Sequence, residues 1–161
     1  MDLFFSVSLM IGASFVIQYY GMSFITVSNV NDITNSLGKF YMSSMMAIMM
    51  GIVEVLMHDF TNINTNTNKM IMIHWNYYFI LFLLLSVIYL LYVYQIGISD
   101  KEYLKEMIEH HSMALLTSDE IEKKTSNYKI KKLAHDIISS QSDQIEYMKK
   151  LLENNLNNVN S

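Results

Sequence analysis

The residues best equipped for chemistry lie in "MIEHHSMALLTSDE", Met107 to Glu120. Two adjacent imidazoles, His110 and His111, stand between two thioethers, Met107 and Met113. The chain contains no cysteine, which excludes disulfides and thiolate metal sites. Imidazole combined with thioether favours copper, and Cu(I) in particular. The competing reading needs no ion. His111 is then a packing residue that hydrogen-bonds a polar partner in a helical bundle, and His110 its half-exposed neighbour.

A second group of soft donors occupies "FYMSSMMAIMMGIVEVLM", Phe40 to Met57. Met42, Met45, Met46, Met49, Met50 and Met57 fall within about 140° of a helical wheel. Such a stripe could hand Cu(I) along a helix, or simply fill apolar space as methionine commonly does. Glu54 sits on its flank. An ionisable group inside a membrane span costs ~2.5–3.5 kcal/mol, so Glu54 is either functional or reaches towards His58 and Asp59 at the interface. His58 and His74 bracket the next connection and could meet a metal there, although the sequence supplies no evident third ligand.

Other chemistries find little support, and the chain is not expected to be an enzyme. The five glycines are isolated, so no phosphate-cradling loop exists. Ser112 and His111 project about 100° apart on a helix, which rules them out as a nucleophile and base pair. A net charge of −4 and the absence of arginine argue against nucleic-acid binding, which needs a basic face.

These side chains must be positioned by helices. Three apolar stretches, at about 3–27, 40–60 and 75–98, each approach or exceed the roughly 20 residues that cross about 30 Å of hydrocarbon. The first has no basic start and is too long for a signal-peptide core. With no proline anywhere, every helix is expected to run uninterrupted. Tyr and Trp at the ends of the third stretch, including Trp75, Tyr77, Tyr78, Tyr92 and Tyr94, match interfacial anchoring belts. The connections "SNVNDITNSLGK" and "DFTNINTNTNKMIMIH" read as solvated loops. Lys39, Lys101 and Lys105 flank one side and Lys69 the other; by the positive-inside rule this small difference leans towards a cytoplasmic C-terminal part and leaves its side open. Abundant Asn, Ile, Lys and Tyr suggest an AT-rich genome, so a bacterial or viral membrane.

After Gly97 the composition becomes charged. "SDKE", Ser99 to Glu102, forms a capping box that opens a helix to about Lys123. "KTSN" at 124–127 turns the chain into a second helix ending near Glu153, after which the tail should fray. The expected organisation is therefore a membrane domain, 1–98, and a helical hairpin domain, 99–161. On the first hairpin helix Leu104, Met107, Ile108, His111, Ala114, Leu115 and Ser118 share a face. On the second, Leu133, Ile137, Gln141, Gln144, Ile145, Met148, Leu151 and Leu152 do. A buried polar group without a partner costs roughly 1–3 kcal/mol, so His111 should meet a polar group across the hairpin. The turn position sets it near Gln141, and Ser118 near Leu133. Two helices cannot bury both stripes, so the hairpin should complete a four-helix bundle by homo-oligomerising, or dock on another membrane-associated protein.

The residues "YL..MIEHHSMAL" followed by "KLAHDIISSQSDQIEYM" resemble the domain-of-unknown-function 305 family, over about Asp100 to Leu152. Its hallmark is a Met-Ile-x-His-His motif on one helix with a Gln and a later Met on the next. The three spans, with a methionine-rich middle one beginning Tyr41-Met42, are similar to a membrane-anchored group in that family. The resemblance implies a ferritin-like, all-α fold and, for some members, copper binding. Carried over by motif, Met107, His110, His111 and Met148 are the implied ligands, with Gln141 as a neighbouring polar residue. Two positions depart from the pattern: Glu109 stands where proline is usual, and Gln144 where an acidic residue is. The loss of that carboxylate leaves room for the alternative, a structural or assembly module without metal.

Overall fold

The computed structural model describes residues 2–65 and 74–159, and among these every regular element is helical. The elements are α1 (Leu3–Val16), a π-helical turn (Ile17–Gly21), α2 (Met22–Thr26), a short 3-10 turn (Val30–Asp32), α3 (Leu37–Thr65), α4 (Trp75–Val93), α5 (Asp100–Lys124) and α6 (Tyr128–Val159). Three stretches are long and apolar enough to cross a membrane: Leu3–Thr26, Leu37–Asn62 and Trp75–Val93. Residues 66–73, including Lys69 and most of the second expected loop, lie outside the described residues. The start of that loop, Asp59 to Thr65, remains helical as the end of α3. The third span stops at Val93, short of 98, where Gln95 and Gly97 take positive φ values of 52° and 77° and end the helix.

The chain divides into two compact units. One comprises residues 1–20 and 40–96, the other 21–39 and 97–161. The connection 21–39 therefore groups with the C-terminal hairpin, whereas the sequence expectation placed everything before 98 in the membrane part.

In the first unit, Leu3, Val7, Ile48, Val55 and Leu81 form the buried core, joined by Ile11, Ile52, Tyr77 and Tyr78. The buried row of α3 is Ser43, Ala47, Gly51, Val55 and Asp59, one residue per turn. Small residues at this spacing let helix backbones approach closely. A Cβ on Gly51 would lie 2.7 Å from Ile11 Cγ1. The absence of proline does not leave α1 regular: the π-turn at Ile17–Gly21 interrupts it. There Tyr19 stacks on Phe15 at 5.5 Å, and Phe40 meets Phe15 edge-on at 5.3 Å.

In the second unit, α5 and α6 form the antiparallel hairpin around Ile108, Ile145 and Met148, with Leu104, Met107, Leu115 and Leu152 packed against them. Ser99 Oγ accepts from Glu102 N at 3.4 Å, as a capping box requires, but the reciprocal arm is absent. The Glu102 carboxylate instead accepts from Leu37 N at 2.7 Å and from Lys105 Nζ at 2.7 Å. The second cap is Asn127, whose Oδ1 accepts from Lys129 N at 3.0 Å. From there α6 continues to Val159, beyond the expected end near Glu153.

Candidate functional site

On α5 the anticipated inner face is largely observed, with Ile108 and Ser118 buried and Leu104, Met107, His111, Ala114 and Leu115 half-buried. His111 sits at its polar centre. Its Nδ1 lies 2.8 Å from the Met107 carbonyl oxygen, one turn back, so Nδ1 carries a proton and donates. Its Nε2 lies 2.8 Å from the side-chain amide of Gln144 on α6. An imidazolium donates there to Oε1. A neutral ring accepts from the amide nitrogen once the amide is turned over.

The cross-hairpin partner is therefore Gln144, not Gln141. The turn falls where the motif "KTSN" put it, with α5 ending at Lys124 and α6 starting at Tyr128, so the difference lies in the register between the two helices. The facing residue shifts by three positions, close to one helical turn. Leu133, expected on the inner face of α6, is exposed, and its neighbour Ala134 is buried.

The other candidates divide clearly. Met107 and Met148 belong to the apolar cluster beside the His111–Gln144 link. Met107 precedes His111 by four residues and Met148 follows Gln144 by four, so each thioether lies one turn from the link on its own helix. His110 is exposed, while Met113 and Gln141 are half-buried. His110 projects about 100° away from His111, so the two rings leave the helix in different directions.

The face of α5 opposite the hairpin core holds a feature the helical wheel did not reveal. Glu106, Glu109 and Ser112 are all buried. Glu109 accepts from Ser23 Oγ at 2.5 Å and Thr34 N at 2.9 Å, and pairs with Lys39 Nζ at 3.0 Å. Ser112 Oγ and its carbonyl both receive Ser28 N, at 3.1 Å each. On α6, Lys149 reaches buried Asp32 at 2.5 Å. Every polar group of segment 21–39 thus named finds its partner on the hairpin, which explains why that segment groups with it. Glu109, where the resemblance leads one to expect proline, was the available signal, since its carboxylate can pair with Lys39 and a proline cannot.

Glu102 lies on the same unit. Burial pushes its carboxyl up, but the Lys105 ammonium, the Leu37 N–H and the charge of Lys101 outweigh that and hold it below the ordinary glutamate value.

In the first unit, the methionine stripe of α3 lies away from the core. Met42, Met46, Met49, Met50 and Met57 are exposed and Met45 is half-buried. The small-residue row takes the inner face because it permits the closest helix approach. Glu54 does not reach for His58 or Asp59. Its carboxylate accepts from Ser6 Oγ on α1.

The third ligand that the sequence did not supply beside His58 and His74 is Asp59. The ligating atoms of His58, Asp59 and His74 lie within 4.8 Å of one another. Asp59 is buried, with its Oδ1 2.5 Å from His74 Nδ1. Its Oδ2 accepts from Tyr78 Oη at 3.1 Å and from His74 N at 3.3 Å. The His58 and His74 rings meet at 71° with centroids 5.4 Å apart, and His58 Nδ1 lies 3.1 Å from Asn62 Nδ2. The missed signal was adjacency: Asp59 follows His58 in the last turns of α3, and His74 caps α4.

Residues 99–161 match the family described as a domain of unknown function, DUF305. The chain is also 35% identical over 146 residues to "Uncharacterized protein L153" of Acanthamoeba polyphaga mimivirus, covering 90% of each sequence. No solved structure matches the chain significantly.

Proposed function

Since the chain belongs to the DUF305 family, we propose that it is a multi-pass membrane protein whose C-terminal hairpin binds and handles copper as Cu(I). Insertion is supported by the exterior of the span helices. Only Leu81 of α4 is buried, and Phe79, Phe82, Leu83, Leu84 and Leu90 are exposed, an arrangement that hydrocarbon solvates and water does not. The inference that the membrane is a viral or bacterial one follows the composition and the mimiviral relative.

The copper reading rests on one observation, the orientation of His111. A backbone carbonyl holds its Nδ1 proton, the arrangement that usually aims the other nitrogen of a metal-binding imidazole. That nitrogen faces α6, and the thioethers of Met107 and Met148 lie one turn away on either helix. One imidazole and two thioethers form a soft, low-coordinate donor set suited to Cu(I). Gln144 is exposed and can release Nε2 by swinging into solvent. His110, Met113 and Gln141 then lie outside the first coordination sphere. The full-length protein in detergent should withdraw one equivalent of Cu(I) from a chromophoric chelator. His111→Ala or the pair Met107→Leu/Met148→Leu should abolish this, and His110→Ala should not. Retention of Cu(I) by both of the first two variants overturns the reading, as does a wild type that takes none.

A second reading has its own observation. Ile130, Leu133 and Tyr147 are exposed on α6, as expected if the hairpin is an oligomerisation or docking module and the histidine specifies packing. A metal-free oligomer whose size is unaffected by chelator and by His111→Ala would favour it.

A further inference from the structure

The geometry points to a second metal site, distinct from the hairpin, in which His58, Asp59 and His74 hold a divalent cation of the zinc class at the junction of α3 and α4. Two imidazoles and one carboxylate are borderline donors, suited to Zn2+ and its first-row neighbours and not to Cu(I). Three protein ligands leave a tetrahedral cation one position for water or for a small anionic ligand.

Asp59 is already equipped for this role. Tyr78 Oη and His74 N both donate to Oδ2, so Oδ1 is the oxygen directed at the ring of His74. Hydrogen bonds of this kind hold a ligating carboxylate in a fixed orientation. Two ligands on one tetrahedral zinc, each about 2.0–2.1 Å from it, lie about 3.4 Å apart. Asp59 Oδ1 and His74 Nδ1 are closer than that at 2.5 Å, while the set as a whole spans up to 4.8 Å. Binding therefore opens the Asp59–His74 contact, with the cation taking the place of its proton, and draws the outlying ligand inward by about 1 Å, a change within side-chain torsion.

His58 is the residue that a plain Asp–His–Tyr hydrogen-bond network leaves unexplained. Asp59 is satisfied by His74 and Tyr78 without it, yet its ring is held against His74. Asn62 engages its Nδ1, which leaves Nε2 for the ion. Ligation at Nε2 moves the ring proton to Nδ1, where a turned Asn62 amide accepts it through its oxygen. A cation would also neutralise a carboxylate buried at the end of an apolar helix, where an uncompensated charge is costly.

The test uses the full chain in detergent, stripped with chelator and titrated with Co2+ as a spectroscopic probe and then with Zn2+. One equivalent of Co2+ should give the visible absorption of a four-coordinate site and be displaced by Zn2+. His58→Ala and His74→Asn should each weaken Zn2+ binding at least ~100-fold, as loss of a ligand exceeds the 10–100-fold typical of its supporting partners. His74→Asn retains an N–H for Asp59, so the fold is preserved and a loss reports on the ligand. His111→Ala should leave this titration unchanged, and His58→Ala should leave Cu(I) uptake unchanged, so failure here and failure of the hairpin reading are separate results. The proposal is overturned if the stripped wild type shows no stoichiometric Co2+ or Zn2+ uptake, or if uptake survives in His58→Ala/His74→Asn.

Discussion

Removing Glu109 should release the segment 21–39 from the hairpin. The side chains of Lys39 and Glu109 are only 12% and 5% exposed, which puts the pair in the regime where removing one partner costs 3–5 kcal/mol, roughly, because the other charge stays buried. An exposed pair would contribute about 1 kcal/mol or less. Glu109→Ala also strands the Thr34 N–H and the Ser23 hydroxyl, each worth about 1–3 kcal/mol if left unsatisfied. The double variant Lys39→Met/Glu109→Leu removes both charges and should recover most of the ionic penalty, while the orphaned Thr34 N–H keeps it about 1–3 kcal/mol below wild type. Hydrogen exchange of peptides covering residues 22–39 reads this directly. At about 1.4 kcal/mol per decade, Glu109→Ala should accelerate exchange there by roughly a hundredfold or more, up to the limit set by full opening, with α4 unaffected. An acceleration under about fivefold, or a double variant worse than either single one, would refute a buried, coupled pair.

Two other perturbations test the packing and the caps. Gly51→Ala places a Cβ against Ile11, and overpacking of this kind costs about 1–3 kcal/mol. Its thermal shift in detergent should be non-additive with Ile11→Ala, whereas strict additivity would separate the two positions. Glu102 titrates below its unfolded value, so the stability it contributes is present above the ordinary glutamate pKa and is lost as pH falls through the lower, folded one. Protection of the Leu37 amide should therefore fall on acidification, and Glu102→Gln should flatten that acid limb.

The parts of the fold that were legible in the sequence were those encoded by one helix's own period. The three spans follow from uninterrupted apolar length, and the α5 stripe from Leu104 to Ser118 follows from 3.6-residue spacing, because both depend only on local residue type. What failed was register between helices. Ser99 capped α5 as expected, and "KTSN" supplied the turn and the second cap, yet the pairing across the hairpin still slipped. A slip of three residues between two helices preserves each one's buried face, since three residues nearly complete a turn, and changes only who faces whom. Gln141 and Gln144 lie three residues apart on α6, so the position of the turn did not choose between them.

The polar residues that the sequence left unassigned have a different cause. Glu109, Ser112 and Asp32 are buried against elements more than seventy residues away, and no period within one helix reports such a partner. On its own wheel Glu109 lies on the face that water would be expected to take. The methionine stripe lies away from the core for a related reason: Gly51 brings α1 closer to α3 than any methionine would allow. Close approach rewards the smallest side chain, not the most apolar one. His58 and His74 combine both effects. The sequence set the two at the ends of one connection, and only the return of the chain beside Asp59 adds a carboxylate to them. The part the sequence missed was thus Asp59, because a hairpin's closure and not a helix's period sets it against His74.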